Sequence, residues 1–130
     1  MNRLLLDTHA LLWCLTEPTR LSPMVRKTVS ERRTQLFVSA ASAWELSTKH
    51  RLGKLPQADG LIHGYAEHLD RAGISELPIT SRHALLAGAL DWTHRDPFDR
   101  MIAAQSMIES MSLVTADVTF GGLALSLIHI

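Results

Sequence analysis

The chain has 130 residues, no formal net charge at pH 7 with histidine neutral, and 46% hydrophobic residues. This length fits one domain spanning 1–130 and excludes two domains of ordinary size, and the apolar content excludes a disordered chain. The single cysteine, Cys14, excludes an intrachain disulfide and favours a reducing compartment. Because Leu4–Leu6 is too short for a signal peptide and no run approaches the ~20 apolar residues that span a bilayer, we expect a cytoplasmic protein without a membrane segment.

Short apolar segments alternate with helical patterns along the chain. Continuous rather than alternating apolarity predicts strands that are buried on both faces. In the first part of the chain we predict a strand at 4–6, a helix at 8–16, a helix from Ser22-Pro23 to about Arg33, and a strand at 36–38. The middle part is predicted to form a helix from a Ser42–Glu45 capping box to near Gly53, a helix at 59–72 and an edge strand at 76–79. The last part is predicted to form a helix from a Ser81 cap to about Trp92, a helix from Asp96-Pro97 to about Met111, a strand at 113–115 and a last strand at 123–128. This order predicts an α/β fold with a parallel sheet and helices on both faces.

Positive and negative charges are separated along the chain. Residues 20–54 contain eight lysines and arginines and two glutamates, whereas residues 55–130 contain four basic and nine acidic residues. Such a distribution is compatible with a basic face for phosphate and an acidic pocket for metal. Solvated helix faces are the simpler explanation of the charge distribution taken alone.

Four acidic residues occur where predicted strands end. Asp7 directly follows the first strand, and Asp117 follows the apolar segment 113–116. Glu45 and Asp99 lie in the first turns of predicted helices, close to where a preceding strand would end. Because ligands of parallel sheets bind beyond the carboxyl ends of the strands, we expect the four carboxylates to meet in one pocket.

Each of these acids also has an ordinary structural explanation. Asp7 and Asp117 could be helix caps or turn residues. Glu45 could be only the third residue of a capping box, and Asp99 only a favourable charge at a helix N-terminus. Four independent caps need not share one edge of a sheet, and the combination therefore favours a site.

Carboxylates that meet in one pocket need cations. Two like charges ~4 Å apart repel by about 4 kcal/mol at an effective dielectric of 20. An all-oxygen set of donors, without cysteine and without histidines at zinc spacing, favours Mg²⁺ or Mn²⁺. A water held by such a metal can attack a phosphodiester, and the metal can stabilise the leaving oxygen.

Several motifs follow one another between residue 3 and about residue 120. They are Leu6-Asp7-Thr8-His9 with Leu12-Trp13, Ser39 with Ser42-Ala43-Trp44-Glu45, Gly53-Lys54-Leu55, His94-Arg95-Asp96-Pro97-Phe98-Asp99-Arg100 with Ile102-Ala103-Ala104-Gln105, and Leu113-Val114-Thr115-Ala116-Asp117. Together they resemble the PIN-domain ribonuclease toxins of the VapC type, which belong to bacterial toxin–antitoxin systems. The resemblance implies a PIN-like α/β/α sandwich with a central, mostly parallel sheet of four to five strands.

The resemblance also implies a function. We expect an endoribonuclease that depends on Mg²⁺ or Mn²⁺, cuts RNA, is neutralised by a cognate antitoxin protein and forms a homodimer. By position, Asp7 and Asp99 are expected to be the principal metal ligands, and Glu45 and Asp117 to complete the four-carboxylate site directly or through water. Hydroxyl residues next to these acids are expected to support them through hydrogen bonds; these residues are Thr8, Ser39 and Thr115.

Other residues of these motifs have less specific expectations. Asp96 lies within the last acidic motif, but a cap role explains it well, and it is left outside the four acids. Lys49, Arg51 and Lys54 lie on or just beyond the helix that carries Glu45, and they are candidates for contacts with RNA phosphates, with simple solvation as the alternative. The three tryptophans are expected to fill core or dimer surfaces rather than to stack on bases.

The end of the chain departs from the family pattern. Members of this group usually finish with one or two aromatic residues near a last strand, whereas residues 121–130 contain no Phe, Tyr or Trp. From this departure we expect an end that is either truncated or not native to the gene. It affects the prediction of the last strand and leaves the four acids unchanged.

Several other functions are open at this stage. A phosphatase with an aspartyl nucleophile usually has Asp-x-Asp after its first strand, whereas His9 stands at the second of those positions here. A PIN nuclease that acts on DNA or in RNA processing is an alternative, although the short chain favours a toxin. A non-catalytic RNA- or protein-binding module is another, and the intact acids argue against it.

Overall fold

A parallel sheet of five strands forms the centre of the structure, a computed structural model that describes residues 2–130. The strand order is β3-β2-β1-β4-β5, and every neighbouring pair is parallel. The strands are β1 (Arg3–Leu6), β2 (Gln35–Ser39), β3 (Ile74–Leu77), β4 (Ser112–Thr115) and β5 (Leu127–His129). β1 therefore lies in the middle of the sheet, between β2 and β4.

Seven α-helices flank the sheet within residues 2–130. They are α1 (Thr8–Thr16), α2 (Pro23–Ser30), α3 (Ala40–Arg51), α4 (Asp59–Ile62), α5 (Tyr65–Ala72), α6 (Ser81–Ala89) and α7 (Pro97–Glu109), with short 3₁₀ turns at Pro18–Arg20, Pro56–Ala58 and Val118–Gly122. The architecture is an α/β/α sandwich around a parallel sheet, which confirms the fold predicted from the sequence. None of the helices described is long and apolar enough to cross a membrane.

The continuous apolar segment of β1 is explained by two separate hydrophobic cores. Leu4 and Leu6 pack in one core with residues of α1, α2 and α3. Leu5 points to the other face and packs with Ile102 of α7 and with Phe120. Because successive side chains of a strand point to opposite faces, a strand covered on both sides has no position for a solvated polar residue.

The start of α3 differs from the prediction. The helix begins at Ala40, and its N-cap is Ser39, whose Oγ accepts a hydrogen bond from the Ala41 N–H at 3.0 Å. The predicted capping box of Ser42 and Glu45 is therefore wrong, because both residues already lie inside the helix. Their buried side chains are free to face the carboxyl end of β1 instead of closing a helix end.

Two further helix boundaries also differ from the predictions. The predicted helix at 59–72 is two helices, since Gly64 adopts a left-handed φ of 71° between them. α6 is capped by Thr80 rather than Ser81: Thr80 Oγ1 accepts from the His83 N–H, and His83 Nδ1 accepts from the Thr80 N–H. Histidine takes the place of the usual Glu or Gln in this reciprocal cap, which is why the sequence pattern does not reveal it.

Element ends account for the remaining differences. α2 ends at Ser30 rather than near residue 33, and α6 ends at Ala89 rather than near residue 92. β3 ends at Leu77, before Pro78, which cannot donate to a sheet ladder, and it is an edge strand as predicted. The last strand is restricted to Leu127–His129 and pairs in parallel with β4.

Candidate active site

One pocket of about 360 Å³ lies at the carboxyl ends of the central strands. It is lined with acidic side chains contributed by the turn after β1, by α3, by the start of α7 and by the turn after β4. These acidic side chains are Asp7, Glu45, Asp96, Asp99 and Asp117. The three ionisable basic side chains on the wall are His9, Lys49 and His94. The structure therefore brings the four acids singled out from the sequence into a common pocket.

Asp7 is held firmly at the carboxyl end of β1. It is the N-cap of α1, and its Oδ1 accepts from the Ala10 N–H at 2.8 Å. Its Oδ2 accepts from Thr115 Oγ1 at 2.5 Å. Burial raises the pKa of Asp7, and the nearby Glu45 charge adds to this rise, although the hydrogen bonds from Thr115 and Ala10 oppose it. A buried carboxylate with this raised pKa is poorly solvated and gains from a cation nearby.

Glu45 has an internal donor on each of its carboxylate oxygens. Oε1 accepts from Thr8 Oγ1 at 2.5 Å, and Oε2 accepts from Lys49 Nζ at 2.5 Å. The Thr8 and Ser42 hydroxyls lie 3.0 Å apart, which ties the start of α1 to α3 beside the acid. The Glu45 side chain is only 4% exposed. Its position is therefore fixed by α1 on one side and by its own helix on the other.

Asp99 lies in the first turn of α7 next to the helix cap. Asp96 is the N-cap, and its Oδ1 accepts from the N–H groups of Phe98 and Asp99. Asp99 Oδ2 lies 2.6 Å from His94 Nε2. Burial raises the pKa of Asp99 to about 6, with the charges of Asp96 and Glu45 acting in the same direction and the His94 hydrogen bond acting against it. The Asp99 carboxyl therefore changes its protonation at mildly acidic pH.

Asp117 is partly buried and is held by its own turn. Its Oδ1 accepts from both the N–H and the Oγ1 of Thr119, which makes it the cap of the 3₁₀ turn that follows β4. Its own N–H donates to Thr115 Oγ1 at 2.9 Å. Partial burial acts to raise the pKa of Asp117, but the two Thr119 hydrogen bonds outweigh it and lower the pKa. Asp117 is therefore ionised more readily than an ordinary aspartate.

In the structure, donor groups of the protein already form hydrogen bonds with the carboxylates of the pocket. Among residues 2–130, no group of three or more His, Cys, Asp or Glu side chains is arranged so that it could hold a metal ion. The donor set fits Mg²⁺ or Mn²⁺ in kind, because every candidate ligand is a carboxylate. For a metal to contact several of them, side chains would have to turn, and Lys49 or His94 would have to leave its partner acid.

The supporting residues have different roles from one another. Thr8 and Thr115 donate directly to Glu45 and Asp7, as their predicted supporting role requires. Ser39 donates no described hydrogen bond to an acid, and it supports Glu45 only by starting α3. Lys49 lines the pocket, whereas Arg51 and Lys54 are exposed and lie outside its wall.

Sequence reasoning missed the part that His94 plays. No histidine spacing suggested a ligand pair, and His94 contacts Asp99 only because the loop before α7 folds back over the helix start. Its ring also packs against Trp92, with 4.9 Å between ring centroids. Trp13 and Trp92 pack against the two cores, but Trp44 is 62% exposed and packs edge-on against Phe98.

Comparison with known proteins identifies the family. Residues 4–124 match the family model of the PIN domain. The chain belongs to the PIN-domain family. This PIN domain is 31% identical over 120 residues to Ribonuclease VapC22 of Mycobacterium tuberculosis, in an alignment that covers 90% of the chain and 88% of the relative. It is 36% identical over 58 residues to Ribonuclease VapC16 of the same organism, where the alignment covers 45% of the chain and only 41% of that relative. The family predicted from the sequence motifs is confirmed.

Solved structures share the fold of this PIN domain. The crystal structure of DNA-bound VapBC from Salmonella typhimurium superposes with a TM-score of 0.67 at 16% sequence identity, covering 99% of this chain and 98% of that one. The structure of FitAcB from Neisseria gonorrhoeae gives a TM-score of 0.63 at 21% identity, covering 96% of both chains. At these identities the likeness concerns the arrangement of helices and strands.

Proposed function

We propose that this PIN domain is an endoribonuclease that depends on Mg²⁺ or Mn²⁺ and acts as the toxin of a toxin–antitoxin pair. The observation that carries the proposal is the single pocket lined by Asp7, Glu45, Asp99 and Asp117 at the carboxyl ends of the strands. Relatives named Ribonuclease VapC support RNA as the substrate. The lone cysteine supports the cytoplasm as the place of action.

The proposed roles of the acids follow from how each is held. Asp7 and Asp99 are the principal ligands, since burial raises the pKa of both carboxyls and a cation would stabilise their charged forms. Glu45 and Asp117 complete the site directly or through water. A bound metal would supply an activated water and would stabilise the leaving oxygen of the phosphodiester. Thr115 and Thr8 keep the carboxylates of Asp7 and Glu45 aimed at the pocket by donating hydrogen bonds to them.

Basic residues near α3 are proposed to contact the RNA backbone. Arg51 and Lys54 are exposed at the end of that helix, where their charges are accessible to phosphates. Lys49 lines the pocket itself and is closer to the scissile position than the other two. A basic border beside an acidic pocket would draw a polyanion toward the acids and hold it there.

A protein partner is proposed on the basis of the structural neighbours. Those neighbours include two structures of VapBC bound to DNA and a toxin–antitoxin complex from Klebsiella pneumoniae. We propose that a cognate antitoxin binds this chain and blocks the pocket, and that two copies of the chain form a homodimer. Coexpression with the neighbouring short reading frame tests the first part, and sedimentation of the purified protein tests the second.

Cleavage of labelled RNA tests the proposed activity. We expect cutting in Mg²⁺ or Mn²⁺, loss of cutting in EDTA, and recovery when Mn²⁺ is restored in excess. Asp99→Asn should abolish cutting, while the matched control Asp70→Asn on α5, outside the pocket, should leave it unchanged. Cutting that continues in EDTA, or an active Asp99→Asn variant, would overturn the proposal, and cutting of only the DNA of the same sequence would reassign the substrate.

A further inference from the structure

The ammonium group of Lys49 contacts Glu45, an acid that the proposed metal would also contact. Its Nζ lies 2.5 Å from Glu45 Oε2, and the two residues are one turn apart on α3. The Glu45 side chain is 4% exposed and the Lys49 side chain is 28% exposed. The pair therefore differs from a solvated salt bridge, because one partner is buried and cannot exchange its counter-ion for water.

Lys49 also lies in the field of the other acids. Burial acts to lower the pKa of Lys49, but the hydrogen bond and charge of Glu45 and the charges of Asp96 and Asp99 raise it. The ammonium is thus stabilised by three carboxylates that line the same pocket. Among the basic residues of the pocket wall, it is the one bonded to Glu45.

We propose that Lys49 is a built-in counter-cation that competes with the divalent metal for Glu45. This inference rests on the proposed function, and it makes Lys49 a positioning residue that sets metal affinity rather than a catalytic residue. In the metal-free protein, Lys49 holds the Glu45 carboxylate in place through its contact with Oε2. When a metal binds, the ammonium must leave Oε2, because a cation of either kind at that oxygen repels the other.

The geometry supports competition over a purely structural role. Glu45 Oε1 already accepts from Thr8 Oγ1, and Oε2 is the oxygen that carries Lys49. A metal approaching Glu45 from the pocket would therefore meet the ammonium first. The partial exposure of Lys49 gives its long side chain room to swing out of the pocket once it is released.

Metal binding without RNA tests the inference. Mn²⁺ affinity would be measured by calorimetry, and independently by the loss of the free-ion signal in electron paramagnetic resonance, for wild type, Lys49→Met, Lys49→Gln and Lys49→Arg. We expect the Mn²⁺ dissociation constant to fall by about tenfold in the Met and Gln variants and to stay close to wild type in the Arg variant, which keeps the charge. Lys27→Met, which removes one exposed charge from α2, is the matched control and should leave the affinity unchanged.

The metal-free proteins provide a second readout. In EDTA, Lys49→Met should melt at a lower temperature than wild type, since buried Glu45 loses its partner, and Mn²⁺ should raise its melting temperature by more than it raises that of wild type. Lys49→Gln keeps a hydrogen-bond donor for Glu45 and keeps the test valid if the Met variant folds poorly.

The possible results separate this inference from the proposed function. Unchanged or weaker Mn²⁺ binding by both neutral variants, with normal binding by wild type, would overturn the role of Lys49 and leave the nuclease proposal standing. Absence of Mn²⁺ binding by wild type would overturn both. An equal gain in affinity from Lys27→Met would show that net charge, rather than the contact with Glu45, controls metal binding.

Discussion

The carboxyl ends of the neighbouring strands β1 and β4 each lead into an acidic residue, but the two acids lie in opposite environments. Asp7 is 7% exposed, and burial raises its pKa. Asp117 is only partly buried, and hydrogen bonds from Thr119 lower its pKa against the opposing effect of burial. Two positions that read alike in the sequence therefore differ in how much each carboxylate gains from a cation.

One hydroxyl links the two acids. Thr115 Oγ1 donates to Asp7 Oδ2 and accepts from the Asp117 N–H, so that it holds the side chain of one acid and the backbone of the other. Asp7 is fixed from β4 as well as by its own helix cap, whereas among residues 2–130 the Asp117 side chain is held by Thr119. From this comparison we expect burial and the source of the hydrogen bonds, more than position after a strand, to decide which acid contributes most to the proposed site.

Of the changes at the ends of β1 and β4, removing the charge of Asp7 should give the largest effect. Asp7→Asn is expected to lower RNA cleavage by about 1000-fold, because a buried carboxylate proposed as a principal metal ligand is lost. Since Asn also caps helices well and carries no buried charge, the variant should be no less stable than wild type in EDTA. Single-turnover cleavage and thermal melts measure the two quantities.

Asp7→Ala separates the charge of Asp7 from its cap. This variant loses the hydrogen bond with the Ala10 N–H as well, and it should be less stable than Asp7→Asn by about 1 kcal/mol. Wild-type cleavage by Asp7→Asn would make Asp7 only a cap, and the difference between the ends of β1 and β4 would then have no functional meaning.

Breaking the link between the two acids should give the next largest effect. Thr115→Val keeps the shape of the side chain but removes the hydroxyl, and we expect cleavage to fall by about 10- to 100-fold. Stability should fall by about 1 kcal/mol, because the Asp117 N–H loses its acceptor. Thr115→Ser restores the hydroxyl and serves as the control. Equal activity of the Val and Ser variants would show that the hydroxyl does not position Asp7.

The pH dependence of stability extends the comparison to Asp99. Its pKa is raised from 3.8 to about 6 in the folded protein. Between these values the folded state binds more protons than the unfolded state, so that the contribution of Asp99 to stability decreases as the pH rises through this window. In EDTA, the free energy of unfolding of wild type relative to Asp99→Asn should fall by up to about 3 kcal/mol from about pH 4 to about pH 7. Denaturant unfolding across that range measures it, and a constant difference between the two proteins would contradict the assignment.

The sheet and the gathering of the acids could be predicted from the sequence for a simple reason. Leu4–Leu6 has no polar residue and Asp7 follows at once, which together mark a strand covered on both faces and the end at which parallel sheets bind ligands. Both signals are local in the chain. The geometry of a parallel sheet then converts these local signals into proximity between distant residues.

The partners of the acids were harder to predict because they depend on contacts across the fold. His94 reaches Asp99 through a loop that Arg100 holds by donating to the carbonyl oxygens of Leu90, Trp92 and His94. No sequence period encodes such a loop.

Two sequence patterns near α3 differed in how well they could predict the structure. Ser39 and Ser42 both suit a helix cap, and only the packing of α3 on the sheet decides that Ser39 takes the role. The contact between Glu45 and Lys49, in contrast, was available in the sequence, since Glu and Lys four residues apart on a helix face each other.

Changes at Asp117 should have the smallest effects and so provide the sharpest test of the comparison. Asp117→Asn is expected to lower cleavage by about tenfold, because a partly buried carboxylate that already accepts two hydrogen bonds from Thr119 contributes less to holding a cation. Asp117→Ala also loses the cap on the Thr119 N–H and should cost about 0.5–1 kcal/mol of stability at neutral pH. Because the folded pKa of Asp117 is lowered, its contribution to stability is present above pH 3.8 and disappears as the pH falls through the folded pKa, which is the opposite sign to that of Asp99. If Asp117→Asn impaired cleavage as severely as Asp7→Asn, burial would not be what distinguishes the two acids, and the partly buried acid after β4 would have to hold the metal as tightly as the buried acid after β1.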